Sequence, residues 1–382
     1  MDKTKAKKKT VWQQYIAAAF MMLTGGVCGF VMVMYLDSFR ADAPLYEEIF
    51  SLVGLFLGMY IALFFHVLLH EAGHLVFGLL TGYKFSSFRI FSFMWLKENG
   101  KLKSKRLSLA GTGGQCLMAP PDWKDGKIPV VLYNLGGSLI NMAAGVLFLA
   151  GYLLCSGIPF LSPLLLIFAV AGLMTAAMNG IPMRMETIDN DGYNALALSK
   201  NTEAVEAFWI QLKINEQSSK GVRLKDMPPE WFAVPSDEAM KNGMVAARGV
   251  FACNRLMDAE NFEEADARMA HLLEIDSGMI GLHRGLLICD RIFVELIGEN
   301  SREIIESMHT KEQKKFMKAM RRYPSVLRTQ YALALLYGND IAKADKIGKE
   351  FEKKTKNYPY QQEVEAERDL MKLAQHKLTA QG

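Results

Sequence analysis

Long apolar runs fill the first half of the chain, and the second half lacks them. Residues 11–36 contain no charged side chain, and neither do residues 128–183. A helix rises 1.5 Å per residue, so about 20 residues cross the hydrocarbon core of a bilayer. The first run makes one span. The second is long enough for two, with a break at Ser156-Gly157-Ile158-Pro159 and Pro163 just beyond. Another span lies between residues 50 and 83, where Glu71 is the single charged group. The pattern therefore predicts an α-helical membrane protein with four transmembrane helices, then a soluble part.

That second part reads as helices. Asn261-Phe-Glu-Glu-Ala-Asp266 opens one after a polar turn, and Asn339-Asp-Ile-Ala-Lys-Ala-Asp345 repeats the pattern. Tyr323-Pro324 and Tyr358-Pro359 stand at a separation near the 34-residue period of tetratricopeptide repeats, without the full signature of that repeat. The expectation is a degenerate, all-α helical-repeat domain. Three regions follow: a basic tail and first span over residues 1–48, a core over 49–200, and a helical-repeat domain over 201–382. Met227-Pro-Pro-Glu-Trp-Phe232 reads as a linker between membrane and repeat parts.

Charge sets the orientation. Residues 1–10 carry five lysines, which places the N-terminus in the cytosol. The loop at 37–51 has Arg40 against Asp37, Asp42, Glu47 and Glu48 and belongs outside; the loop at 84–127 has nine Lys or Arg against three acids and belongs inside. Four crossings return the C-terminus to the cytosol, so the protein is expected to be multi-pass in a cell membrane. The formal net charge is only +4, and the excess lies in the apolar half, so a nucleic-acid partner is excluded. Cys28, Cys116, Cys155, Cys253 and Cys289 are scattered and odd in number, which argues against a disulfide framework.

Inside the second span stands His70-Glu71-Ala72-Gly73-His74. Histidines four apart leave one face of a helix, where two imidazoles can share a zinc ion. The glutamate after the first can take a proton from the water such a metal activates. Ionisable groups within a span are costly and point to function. Catalytic zinc takes a third protein ligand, and the candidates lie just past the fourth span, within residues 179–192. His66, one turn before His70 on the same face, reads first as a packed histidine and otherwise as support for the ligand.

His-Glu-x-x-His in one span, with Asn179-Gly-Ile-Pro182 and a later Asp191-Gly192 in another, resembles the site-2 protease family of intramembrane zinc metalloproteases over residues 50–195. The resemblance implies a Zn²⁺-dependent endopeptidase that cuts a membrane-embedded protein or peptide near the cytosolic face. Glu71 is then the general base and His70, His74 and Asp191 are the ligands. The family usually places about four residues between the proline and Asp-Gly. Here eight separate Pro182 from Asp191, which keeps Asp189 as an alternative ligand. The family's Gly-rich segment with an asparagine is matched by Gly136-Gly137-Ser138-Leu139-Ile140-Asn141, so Asn141 and Asn179 are the substrate-binding candidates. Residues 85–96 and 101–109 flank Glu98-Asn99-Gly100 as the arms of a small β-hairpin, similar to the family's membrane-associated hairpin and suited to clamp an unwound substrate. Cys116 could approach the metal as an inhibitory thiolate. The repeat domain would hold a protein partner. The rival reading is a non-catalytic membrane scaffold that works through that domain.

Overall fold

The computed structural model describes residues 3–36, 44–98, 101–107, 113–124, 126–183 and 189–381. It forms two compact units: Met1–Lys84, Gly113–Cys116 and Pro129–Lys200 in one, and Phe85–Thr112, Leu117–Ile128 and Asn201–Gly382 in the other.

The first unit holds α1 (Lys3–Leu36), α2 (Leu45–Leu80), α3 (Val131–Leu154), α4 (Leu161–Gly180) and the short α5 (Asp191–Ser199). The first four each contain a stretch long and apolar enough to cross a membrane. The α3–α4 break falls at the expected Ser-Gly-Ile-Pro segment, and Pro163 sits in the first turn of α4, where its missing N–H costs nothing. Exposed leucines, phenylalanines and methionines coat the outer faces, as lipid demands.

Where the helices cross, glycine removes the side chain. A Cβ on Gly73 of α2 would lie 2.4 Å from the carbonyl oxygen of Gly136 in α3. A Cβ on Gly172 of α4 would lie 3.1 Å from Gly145 Cα in α3, and one on Gly192 of α5 would lie 2.2 Å from the Gly180 carbonyl in α4. Small residues let helix backbones approach closely without a hydrophobic driving force. Gly73→Ala preserves the His-Glu-x-x-His string but forces α2 off α3. Its expected cost is about 3 kcal/mol, read as a lower unfolding temperature in detergent. A wild-type melting curve would mean the helices can separate freely.

Most of a sheet in the order β3-β2-β1-β4 falls in the second unit; it is built of β1 (Lys84–Ile90), β2 (Phe93–Glu98), β3 (Lys101–Arg106) and β4 (Gly114–Ala119). The expected hairpin is thus part of a larger, four-stranded sheet. Its first arm is not one strand: Ile90 pairs with Phe93 across a two-residue turn, and Phe91 takes a positive φ of 50° there. No Gly or Asn announces that turn, so the sequence concealed it. Glu98 pairs with Lys101, while Asn99 and Gly100 lie outside the described residues.

The rest of this unit is α6 (Thr202–Ser219), α7 (Gly243–Asp258), α8 (Phe262–Glu274), α9 (Gly281–Ile297), α10 (Arg302–Met308), α11 (Lys311–Ala319), α12 (Pro324–Ala332), α13 (Ile341–Thr355) and α14 (Gln361–Gln381). The segment expected to be a linker is core instead. Met227 and Phe232 are buried with Ile210 and Ile214 of α6 and Ala252 of α7. Buried charge is paired: Arg328 meets Asp290 and, at 2.8 Å, Glu367. The sheet joins this unit through Trp209, whose indole N–H donates to the Pro121 carbonyl at 2.9 Å.

Candidate metal centre and active site

The His-Glu-x-x-His segment lies in the interior of α2, and its polar groups are buried. His70 and His74 project from one face, with imidazole centroids 4.8 Å apart. Room for the His70 ring comes from Gly137, where a Cβ would sit 2.5 Å from the imidazole. His74 Nδ1 lies 2.8 Å from the Tyr133 carbonyl oxygen. A carbonyl only accepts, so Nδ1 carries the proton and Nε2 of the neutral ring is a lone pair. Its target is the space beside His70 Nε2, 3.2 Å away.

Asp191 closes the group. Its Oδ2 lies 2.9 Å from His70 Nε2 and 3.4 Å from His74 Nε2. An ion with tetrahedral donors at its usual bond lengths holds them about 3.3 Å apart. The three donors match that spacing, and two imidazoles with a carboxylate are a zinc-type donor set.

The position of Asp191 depends on Asn190, whose importance the sequence reading missed. Asn190 is the N-cap of α5: its Oδ1 accepts from the Tyr193 N–H at 2.9 Å. The same oxygen accepts from the Met183 N–H at 2.9 Å, and Nδ2 donates to the carbonyls of Met178 and Ile181 at 2.8 and 2.7 Å. One carboxamide thus spends its two donors and two acceptors tying the end of α4 to the start of α5. The Asn190 N–H also bonds the Met183 carbonyl. Chain leaving at Met183 therefore returns at Asn190, so the longer Pro182–Asp191 spacing does not displace Asp191. Residues 184–188 lie outside the described residues. Asp189 is not in the three-donor group. Gly192 lies in the first turn of α5 and allows its close approach to the Gly180 carbonyl.

Glu71 lies on the same helix, buried. Extended residues 113–116 run past it, and a Cβ on Gly114 would come within 2.5 Å of Glu71 Oε1. Only a glycine lets a backbone come this near to the carboxylate. Tyr133 holds both sides: its hydroxyl donates to the Cys116 carbonyl at 2.9 Å while its own carbonyl takes the His74 proton. A main-chain carbonyl carries no sequence signal, so this role was not legible. Burial, and then Glu71, push the Cys116 thiol well above its ordinary value, so it is neutral and a poor metal ligand.

The two asparagines are placed differently from one another. Asn179 ends α4 partly exposed; its Nδ2 donates to the Thr175 carbonyl at 3.0 Å. Asn141 is wholly buried, with its amide 3.2 Å from His66 Nδ1 and 3.5 Å from His70 Nδ1. A substrate cannot reach that amide without displacing those contacts.

Apolar membrane-length helices, a buried two-histidine, one-carboxylate cluster and an adjacent glutamate describe a hydrolase of the metallopeptidase class. Residues 58–361 match Peptidase family M50, and the chain belongs to that family, the family of the site-2 proteases. It is accordingly a metalloprotease with the helices of a membrane protein. No curated protein and no solved structure matches it.

Proposed function

We propose that this chain is an intramembrane zinc endopeptidase that hydrolyses a peptide bond of a membrane-embedded protein near the cytosolic face. The observation that carries the reading is the convergence of His70 Nε2, His74 Nε2 and Asp191 Oδ2 within 3.4 Å of one another beside Glu71. Zinc held there would supply an activated water and polarise the scissile carbonyl. Glu71 takes the proton of the attacking water and passes it to the leaving amine. Asn179 keeps a carbonyl end without a partner among the described residues, so it can accept a substrate N–H. A helical substrate hides its peptide bonds, and an extended one can align along a strand edge. β4 stands at the end of its sheet, with Gly114 against Glu71. That favours a clamp at β4 over one on the hairpin of residues 85–109.

Both termini face the cytosol in this reading, with the bilayer around α1–α4. A reporter active only outside the membrane, inserted near Asp42, is expected to work, and one fused after Gly382 to stay silent. The reverse would overturn the orientation. The substrate is identified by trapping: Glu71→Gln should accumulate one uncleaved membrane protein, which the wild type cuts in the same vesicles. A scaffold predicts no difference between the two chains and no stoichiometric zinc.

The helical unit supplies the partner site. Glu260, Asn300 and Asn339 all take positive φ one residue before a helix cap, at intervals of 40 and 39 residues. This regularity supports a degenerate helical repeat with a period nearer 40 than 34. A pocket of about 250 Å³ opens among α6, α7, α9, α12 and α14. The carboxamides of Asn215 and Asn254 line it without hydrogen-bond partners among the described residues, ready for a peptide backbone.

A further inference from the structure

His66 and Asn141 lie behind the metal site, on the side away from Asp191, and no step of the reaction uses them. His66 is fully buried on α2, one turn before His70. Its ring sits among Phe65, Phe148 and Phe168, with centroids 5.5, 6.0 and 6.3 Å away. Its Nε2 lies 2.9 Å from the Phe168 carbonyl oxygen, and its Nδ1 faces the Asn141 amide. The other end of that amide faces His70 Nδ1. Gly172 makes the room: a Cβ there would be 2.5 Å from His66 Cε1.

Proton accounting leaves two arrangements. The Phe168 carbonyl can only accept, so His66 Nε2 is protonated in both. In the first, His66 is also protonated at Nδ1 and donates to Asn141 Oδ1; Asn141 then donates to His70 Nδ1, and the proton of His70 sits on Nε2, where the metal must bind. That arrangement places a cation among three phenylalanines inside a membrane span, with no acid beside it among the described residues. Burying an unpaired charge costs far more than a hydrogen bond returns. In the second, His66 is neutral and its Nδ1 is a lone pair, so the amide turns its NH₂ toward His66 and its oxygen toward His70. The two ends of a carboxamide are assigned by their hydrogen bonds, and this network assigns them. His70 Nδ1–H then donates to Asn141 Oδ1, and His70 Nε2 is left as a lone pair aimed at His74 Nε2 and Asp191 Oδ2.

We infer that the Phe168 carbonyl, His66 and Asn141 form a relay that fixes the tautomer and ring orientation of His70, making Asn141 and His66 positioning residues for the metal. The inference rests on the reading of His70 as a zinc ligand. Hydrogen bonds behind ligating histidines set which nitrogen is free, and their loss costs about 10–100-fold in metal affinity. Both histidines that face the metal are thereby committed from behind, His74 by the Tyr133 carbonyl and His70 by the relay. The device has a directional sequence: a main-chain acceptor, a histidine whose tautomer it selects, and an amide that carries the selection one step further.

The test uses the full-length chain in detergent and in lipid. His66→Asn puts a carboxamide oxygen near the place of Nδ1 and can still accept from Asn141; His66→Leu fills the aromatic cage but accepts nothing. Zinc affinity measured by chelator competition should stay within about threefold of wild type for His66→Asn, and fall about 10–100-fold for His66→Leu and Asn141→Leu. A packing role predicts the opposite order, since leucine suits three phenylalanines better than asparagine does. Solid-state ¹⁵N spectra of histidine-labelled wild type add a readout that needs no variant to fold. His66 should show a protonated Nε2 and a bare Nδ1. An imidazolium at His66, or His66→Leu binding zinc as tightly as His66→Asn, overturns the relay. A wild-type chain that binds no stoichiometric zinc overturns the ligand reading instead.

Discussion

Glu71→Gln is expected to leave the zinc content of the purified chain unchanged and to lower substrate cleavage by about 10²–10⁴-fold, the usual worth of a positioned general base. Glutamine keeps the shape and hydrogen-bonding reach of the side chain but cannot take a proton. His74→Ala should instead empty the site, because it removes one of three donors that lie within 3.4 Å of each other. Metal analysis and cleavage, measured on both variants in one detergent, separate the roles. Equal metal loss in the two variants would make Glu71 a ligand and sink the assignment. Unchanged cleavage in Glu71→Gln would remove Glu71 as the base, and no cleavage by either the wild type or the variant would return the chain to the scaffold reading.

The second large effect is expected away from the metal, at Asn190. Its carboxamide makes four hydrogen bonds that fasten α4 to α5. Asn190→Ala strips a helix cap, worth about 0.5–2 kcal/mol. It also leaves the Met183 N–H and the carbonyls of Met178 and Ile181 without these partners, at about 1 kcal/mol each. Asp191, the next residue, then loses its fixed place, and zinc affinity should fall as far as it does in Asp191→Asn. Asn190→Ser restores the cap alone, so it should recover stability more than metal binding. Asp189→Asn should keep its zinc, because Asp189 is outside the donor group. An emptied Asp189→Asn beside a filled Asp191→Asn would move the ligand by two residues.

What could be read beforehand follows from the range of each signal. Membrane-length helices depend on runs of about 20 apolar residues, so all four helices long and apolar enough to span were legible, including the break before Pro163. The histidine pair was legible because helical geometry fixes side chains four apart on one face. The sheet was only half legible, since Phe91 turns the chain at positive φ without a Gly or Asn to mark it. Met227-Pro-Pro-Glu-Trp-Phe232 looked like a linker because two prolines suggest one, yet burial of Met227 and Phe232 makes it core.

The sequence by itself determined the membrane helices, the His-Glu-x-x-His face and the short list of acids from which a third ligand must come, because each is a matter of local pattern or helical period. Tertiary structure alone decided which of those acids, Asp191, stands beside the two histidines. It also decided that the Asn141 amide lies between His66 and His70, and that carbonyls of Tyr133 and Phe168 stand behind the histidines. Those facts depend on main-chain atoms and on helices brought together by glycines at 73, 136, 145, 172, 180 and 192. A carbonyl is common to every residue, so where it points cannot be spelled in the sequence; only the packed fold aims it.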